Sequence, residues 1–218
     1  MSRFCALLNG CLAAAVVAAG VFVAGIGTDA AFSRAYAADE AKAEAPGGLP
    51  EIVYGNPDAP VTIVEYASLT CPHCANFHTQ MMPLLKERLL DTGKAKLVFK
   101  DFPLDQLALR AAVMVRCNTG PRSRAMLDVL FNTQASWGNS SDPVGSLLNI
   151  GRAAGMSDQD LEACFNNQEV IDGVIKQRLE GEQEYQVNST PSFVIGGTLY
   201  RGGMSIEQFE QVVESLQP

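Results

Sequence analysis

The pattern of apolar and polar positions predicts an α/β chain whose strands fall into two groups separated by helices. Residues 61–66 are largely apolar and β-branched, which is typical of a buried central strand, and residues 95–100 repeat that character. Between them, apolar side chains recur at helical spacing over residues 72–89. This order predicts two parallel strands joined by a helical crossover, with a kink where Pro83 interrupts the helix.

Strand signals then disappear between residues 106 and 186, which read as helix after helix. The predicted helices cover residues 107–117, 124–133, 144–154, a segment that opens on a capping box at Ser157, and 170–186. Because strands on both sides should share one sheet, the sequence predicts an inserted all-helical subdomain. Trp137 and the four residues after it read as a loop, in which Trp137 is either a partly buried aromatic or part of a substrate surface.

Strand character returns near the end of the chain. Residues 192–195 and 198–201 are two short strands around a Gly-Gly hairpin turn. A second capping box at Ser205 then opens a final amphipathic helix that ends near Leu216. The predicted order is therefore βαβ, a helical block, and ββα, divided into residues 56–105, 106–186 and 187–218.

The first residues predict an export signal. A short basic start, an apolar run over residues 12–26 and small residues at 35 and 37 indicate a secretory signal peptide over residues 1–37. An uncleaved membrane tether is the alternative. Residues 38–55 read as a flexible leader, since their first part offers almost nothing to bury. A formal net charge of −8 argues against nucleic acid or anionic lipid as a partner.

Export changes how the six cysteines are interpreted. Two of them leave with the predicted signal, and Cys71, Cys74, Cys117 and Cys164 remain. An even number of cysteines in an oxidising compartment favours disulfides over metal ligands.

Cys71-Pro72-His73-Cys74 follows the first predicted strand and begins a helix. At a helix start, unpaired backbone N–H groups and the helix dipole stabilise an anion, so the pKa of Cys71 should be low. His73 could add a hydrogen bond or a positive charge. A zinc half-site and an inert structural disulfide are the alternatives; zinc prefers four ligands, and the chain has no second Cys-x-x-Cys and only two histidines.

Thr190-Pro191 directly precedes a predicted strand, and a cis peptide in a tight turn would explain a proline there. An ordinary loop proline is the alternative. Together with the Cys-Pro-His-Cys motif and the helical block, Thr190-Pro191-Ser192-Phe193 resembles the bacterial DsbA family of periplasmic dithiol oxidases. The resemblance covers about residues 56–216 and implies a thioredoxin-like fold with an inserted helical subdomain.

The resemblance also implies roles for single residues. Cys71 would be the exposed nucleophile, Cys74 its buried partner, and Pro191 a cis-proline beside them. Thr190 would offer backbone hydrogen bonds to an extended substrate. Glu65 would be a buried acid beneath the centre that influences proton transfer at Cys74, unless it is a strand-end residue facing water.

Cys117 and Cys164 resemble the second, structural disulfide of some family members. Such a bridge would close a loop of about 48 residues and stabilise the fold by a few kcal/mol. Two buried free thiols are the alternative.

The implied function is a monomeric periplasmic dithiol oxidase that uses no cofactor and no metal. Its partners would be unfolded exported proteins with free cysteines and a quinone-linked membrane protein that reoxidises it. A reductase or disulfide isomerase on the same fold is one alternative. A non-catalytic binding module that keeps a structural Cys-x-x-Cys is another.

Overall fold

A five-stranded mixed sheet forms the centre of the structure, a computed structural model that describes residues 48–217. The strands are β1 (Ile52–Tyr54), β2 (Val61–Ala67), β3 (Ala95–Asp101), β4 (Ser192–Ile195) and β5 (Thr198–Arg201). Their spatial order is β1-β3-β2-β4-β5, and only β2 and β3 run parallel. The predicted parallel pair, the hairpin and the shared sheet are therefore confirmed.

Strand β2 is the middle of this sheet, and its register determines where its one acidic residue lies. Glu65 is opposite Phe99 of β3 on one side and Phe193 of β4 on the other. Its side chain is fully buried. The alternative that Glu65 faces water at a strand end is thus wrong.

The helix after β2 changes its type three times. It begins as α1 (Pro72–Asn76), widens into a π-helical turn (Phe77–Met81), returns as α2 (Met82–Leu85) and ends in a second π-helical turn (Lys86–Leu90). The first π-helical turn ends just before Met82-Pro83. Pro83 has no N–H to donate to the preceding turn. The interruption predicted at this proline therefore takes the form of a change in helical hydrogen bonding.

Only helices lie between β3 and β4 in the described chain. They are α3 (Gln106–Arg116), α4 (Pro121–Asn132), α5 (Gln134–Gly138), α6 (Pro143–Ala153), α7 (Asp158–Phe165) and α8 (Gln168–Tyr185). The loop predicted over residues 137–141 begins too early, because Trp137 and Gly138 belong to α5 and, of these, only residues 139–141 lie outside the helices. Trp137 is only 2% exposed and donates its indole N–H to the carbonyl of Leu130. It is a core residue, and α9 (Ile206–Ser215) then closes the chain.

The flexible leader predicted up to residue 55 extends too far. Ile52–Tyr54 form β1, which pairs antiparallel with β3 at the edge of the sheet. Ile52 and Tyr54 are buried. A three-residue strand carries too little periodicity to be seen in the sequence, and its pairing with β3 defines it.

A buried ion pair joins the helical block to the sheet. Arg116, at the end of α3, donates through Nε to Asp101 at the end of β3 (2.6 Å) and through Nη1 to the carbonyl of Pro50 (2.7 Å). Gln177 of α8 accepts from Arg116 Nη2 (3.2 Å) and from the backbone N–H of Asp101 (2.9 Å). Both charges are thereby paired and hydrogen-bonded, as burial requires.

The described part of the chain, residues 48–217, holds no helix that combines the length and the apolar character needed to cross a bilayer. The signal peptide predicted over residues 1–37 lies outside the described residues.

Substitution of Arg116 by Leu should lower the free energy of unfolding by about 3–5 kcal/mol, because it leaves the Asp101 carboxylate buried and unpaired. Arg152→Leu is the matched control, since its ion pair with Asp158 is exposed and worth at most about 1 kcal/mol. Denaturant unfolding of both variants measures the difference. Equal losses would contradict the importance of the buried pair.

Candidate active site

Cys71 is the residue from which the first helix begins. Its backbone is extended (φ −80°, ψ 118°), and Pro72 occupies the first helical position, where a missing N–H costs nothing. The backbone N–H groups of Cys74 and Ala75 both donate to the carbonyl of Cys71 (3.1 Å each). Cys71 is therefore the N-cap residue of this helix.

The two cysteines of the motif differ in exposure and are present as free thiols. Cys71 is 7% exposed, whereas Cys74 is fully buried. Cys71 is more exposed than Cys74, as predicted. The expectation that Cys71 is an exposed residue is wrong, because it is almost completely buried. Pro72 and His73, the two residues between them, are exposed.

The environment of Cys71 favours its anion. Its pKa falls from the ordinary 9.0 to about 5, first because the Cys74 thiol donates to it, and further because of Thr190 and the backbone N–H groups of Cys74 and His73. Burial opposes this shift. The helix start therefore contributes as the sequence predicted, although the neighbouring thiol contributes more.

Cys74 shows the opposite shift. Burial raises its pKa above the ordinary value, and the adjacent Cys71 and the charge of Glu65 raise it further. Two sulfurs within one helical turn thus have opposite preferences: Cys71 is stabilised as a thiolate and Cys74 as a thiol.

The turn before β4 lies against Cys71. The Thr190–Pro191 peptide is cis, and the sulfur of Cys71 lies 3.3 Å from the carbonyl oxygen of Thr190. The backbone N–H of Gly202, just beyond β5, donates to the carbonyl of Pro191 (2.9 Å). Because β4 pairs with β2, the sheet brings this turn beside the loop that leads to Cys71.

Glu65 of β2 forms a buried pair with His78 of the helix that carries Cys74. His78 Nε2 is 3.0 Å and 3.2 Å from the two carboxylate oxygens of Glu65. The sequence predicted the buried acid by resemblance but missed its partner. His78 follows Cys74 by four residues, so helical spacing alone could have placed both on one face.

Gln134 is a second residue that sequence reasoning missed. This buried side chain, the first residue of α5, donates through Nε2 to the carbonyls of Leu69 (2.8 Å) and Cys71 (2.9 Å). It fixes the backbone of the cysteine loop from the helical block. Nothing in its sequence context distinguishes it from a surface glutamine.

The other two cysteines lie far along the chain from the motif. Cys117, which ends α3, and Cys164 of α7 are joined by a disulfide with an S–S distance of 2.07 Å and a Cα–Cα distance of 5.8 Å. The bridge ties two helices of the block together. Residues 48–217 contain no group of three or more His, Cys, Asp or Glu side chains arranged to hold a metal ion.

Sheet order and the position of the cysteine pair together define a thioredoxin-fold protein. Residues 49–215 match the Thioredoxin_4 family, described as thioredoxin, and the chain belongs to that family.

Individual relatives make the family assignment more specific. The crystal structure of alpha-DsbA1 from Wolbachia pipientis is 29% identical, with a TM-score of 0.69 over 77% of this chain and 92% of that one. A Rickettsia conorii protein that carries the name of a protein-disulfide oxidoreductase is 32% identical over 165 residues, 75% of this chain and 59% of that protein. The chain thus spans about three-fifths of the curated relatives it matches. The predicted DsbA-like resemblance is confirmed.

A protein-disulfide isomerase from Novosphingobium aromaticivorans shares the fold, with a TM-score of 0.67 at 24% identity over 78% of this chain and 100% of that one. The fold is thus common to proteins with different names.

The low pKa of Cys71 predicts a pH effect on stability. Between its folded pKa of about 5 and its ordinary value of 9.0, the unfolded dithiol chain binds one more proton than the folded one, so stability rises with pH. From about pH 8 down to about pH 5, the melting temperature of the dithiol form should fall by at least about 5 °C relative to the disulfide form.

Differential scanning calorimetry of both redox forms measures this difference, because carboxylates shared by the two forms cancel. Reduced Cys71→Ala is the control and should lose the extra pH dependence. Parallel curves for the reduced and oxidised wild type would contradict a stabilised thiolate.

Proposed function

We propose that this chain is a dithiol oxidase that introduces disulfide bonds into exported proteins by exchange through Cys71 and Cys74. The observation that carries the proposal is the stabilised thiolate of Cys71, whose pKa is about 5. A stabilised thiolate is a good leaving group, and it favours the dithiol form of the protein over the disulfide form. Electrons should therefore flow from client thiols to this centre.

The proposed cycle begins with a Cys71–Cys74 disulfide. A client thiolate attacks the sulfur of Cys71, and Cys74 leaves and takes up a proton. A second client thiolate then attacks the client sulfur of the mixed disulfide and expels the Cys71 thiolate. The client gains a disulfide and the protein holds the two electrons as a dithiol.

The surroundings of Cys71 support the remaining roles. The Thr190–Pro191 turn lies beside the sulfur, where an extended client segment could hydrogen-bond to the backbone of Thr190. Cys74 is fully buried, which suits a resolving sulfur that only Cys71 meets. The Cys117–Cys164 bridge would stabilise the helical block that supports Gln134.

The cellular setting belongs to the same proposal. The chain would work as a monomer in the periplasm after export, on unfolded proteins with free cysteines. A quinone-linked membrane protein would reoxidise it.

The reduction potential tests the direction of electron flow. We expect a reduction potential near that of DsbA, about −120 mV, because the dithiol form is stabilised. A potential near that of thioredoxin, about −270 mV, would reject the oxidase in favour of a reductase. Equilibration with glutathione buffers, followed by alkylation and mass measurement, gives this potential.

Cys71→Ser should also abolish oxidative refolding of a reduced client, and retained activity would favour a non-catalytic module.

His73→Ala tests the contribution of the imidazole. We expect it to raise the pKa of Cys71 above about 5, because the ring lies between the cysteines and can stabilise the anion, and the potential should fall with it. The effect should be modest, since the variant keeps the backbone N–H that also faces the sulfur. Thiolate absorbance against pH measures it, and an unchanged titration would contradict a role for the ring.

A further inference from the structure

The helical block holds the turn that leads into α1 at two points. The backbone N–H of Cys71 donates to the carbonyl of Ser68 (3.1 Å), which closes this turn. The hydroxyl of Thr70 donates to Asp105, the N-cap residue of α3 (2.7 Å). The second point is Gln134, the first residue of α5. The start of α3 and the start of α5 thus both contact the turn.

The contact made by Gln134 differs from the one made by Thr70, because it reaches the backbone itself. Gln134 Nε2 lies 2.8 Å from the carbonyl oxygen of Leu69 and 2.9 Å from that of Cys71. An amide nitrogen carries two hydrogens, so one side chain can serve both carbonyls. Gln134 is 8% exposed and Leu69 is 2% exposed, so water does not readily replace this donor.

The amide of Gln134 is itself held in place by the packing of α5. This short helix follows α4 after a single residue, Thr133. Trp137, three residues after Gln134, is buried and donates its indole N–H to the carbonyl of Leu130 in α4 (2.8 Å). Residues three apart lie on the same side of a helix. Trp137 therefore anchors the turn of helix that presents Gln134 to the cysteine loop.

The carbonyl of Cys71 has a direct bearing on the position of its sulfur. Cys71 is the N-cap residue of α1, and its ψ of 118° sets the direction of this carbonyl and of the first peptide of the helix. The N–H groups of Cys74 and Ala75 donate to the carbonyl (3.1 Å each), and Gln134 supplies a third donor from outside the helix. A rotation at this ψ would turn the start of α1 relative to the sulfur.

We infer that Gln134 is a positioning residue that holds the backbone of Cys71 so that its sulfur faces the first N–H groups of α1 and the turn at Thr190. The sulfur lies 3.3 Å from the carbonyl oxygen of Thr190 in this arrangement. The inference rests on the proposed exchange at Cys71 and gives the helical block a part in that chemistry. The hydrogen bonds of Gln134 go to backbone oxygens and not to sulfur, so it is not a catalytic residue.

Gln134→Met tests this role. Methionine is unbranched like glutamine but has no N–H to donate. Both side chains are uncharged, so a change in the titration of Cys71 reports on the backbone and not on a lost charge. We expect the ratio of thiolate to thiol at Cys71 to fall by about threefold to tenfold at any given pH, the size of effect that one hydrogen bond carries. Thiolate absorbance against pH measures this ratio.

The equilibrium with glutathione is the second readout. A less stable Cys71 thiolate disfavours the dithiol form, so the equilibrium should move toward the disulfide form by a similar factor. A residue with a merely structural role would lower the melting temperature and leave both the titration and this equilibrium where they are.

Gln177→Met is the matched control. Gln177 of α8 is also a buried glutamine that joins the helical block to the sheet, through Arg116 and the backbone N–H of Asp101. Its substitution should lower the melting temperature, as that of Gln134 should, because a buried group loses its partner. The titration of Cys71 should stay unchanged.

Gln134→Asn is a second variant, and it decides the question if Gln134→Met does not fold. It keeps the amide on a side chain that is one methylene shorter, so its nitrogen cannot reach both carbonyls. The titration of Cys71 should move in the same direction as in Gln134→Met, by a smaller factor.

The inference is overturned if the titration of Gln134→Met, or that of Gln134→Asn where the first variant does not fold, superimposes on that of the wild type. It is also overturned if Gln177→Met shifts the titration as far as Gln134→Met, because the shift would then report a general loosening of the fold. A wild-type reduction potential near that of thioredoxin, with a titration that depends on Gln134, would instead reject the oxidase proposal alone.

Discussion

A negative charge on the sulfur of Cys71 is the condition on which this centre depends. Only 7% of the residue is exposed, and burial by itself disfavours an anion. The Cys74 thiol, the first backbone N–H groups of α1 and the turn at Thr190 together outweigh that cost. The helix start at Cys71 and the turn at Thr190 come from two distant parts of the chain. The fold therefore has to bring the start of β4 beside the start of α1, which the pairing of β2 with β4 does.

Two buried polar pairs in the described chain differ in how fully their hydrogen-bonding groups are satisfied. The Arg116 guanidinium donates to a carboxylate, to an amide oxygen and to backbone carbonyls, so its polar groups are well satisfied. The His78 imidazole has one polar contact, with Glu65, and its other nitrogen is unpartnered. A native fold rarely leaves a buried polar atom unsatisfied without a functional reason. This contrast favours a structural role for the pair of Arg116 and Asp101.

Most of the fold was predictable because long elements carry strong periodicity. The parallel strands, the hairpin and the capping boxes at Ser157 and Ser205 are local signals, and the structure has each of them. β1 was missed because three residues show no period, and its strand exists only through pairing with β3. The short helix at Trp137 was hidden by the glycine and serines that follow it.

In the candidate site, too, local sequence signals were predictable and contacts between distant residues were not. The cysteine motif is a run of consecutive residues and could be read directly, whereas the cis peptide at Pro191 was an expectation that the family resemblance supported. Gln134 contacts the loop from 63 residues away, and no local pattern encodes such a contact. The near-complete burial of Cys71 also escaped prediction, because it depends on the turn at Thr190 lying against the sulfur.

The opposite preferences of the two sulfurs create a conflict that the rest of the site has to resolve. The more stable the Cys71 thiolate is, the better it leaves a mixed disulfide with a client, which favours release of an oxidised client. The more firmly Cys74 keeps its proton, the longer the mixed disulfide survives, since Cys74 attacks only as a thiolate. Both tendencies help oxidation, but reoxidation requires Cys74 to ionise.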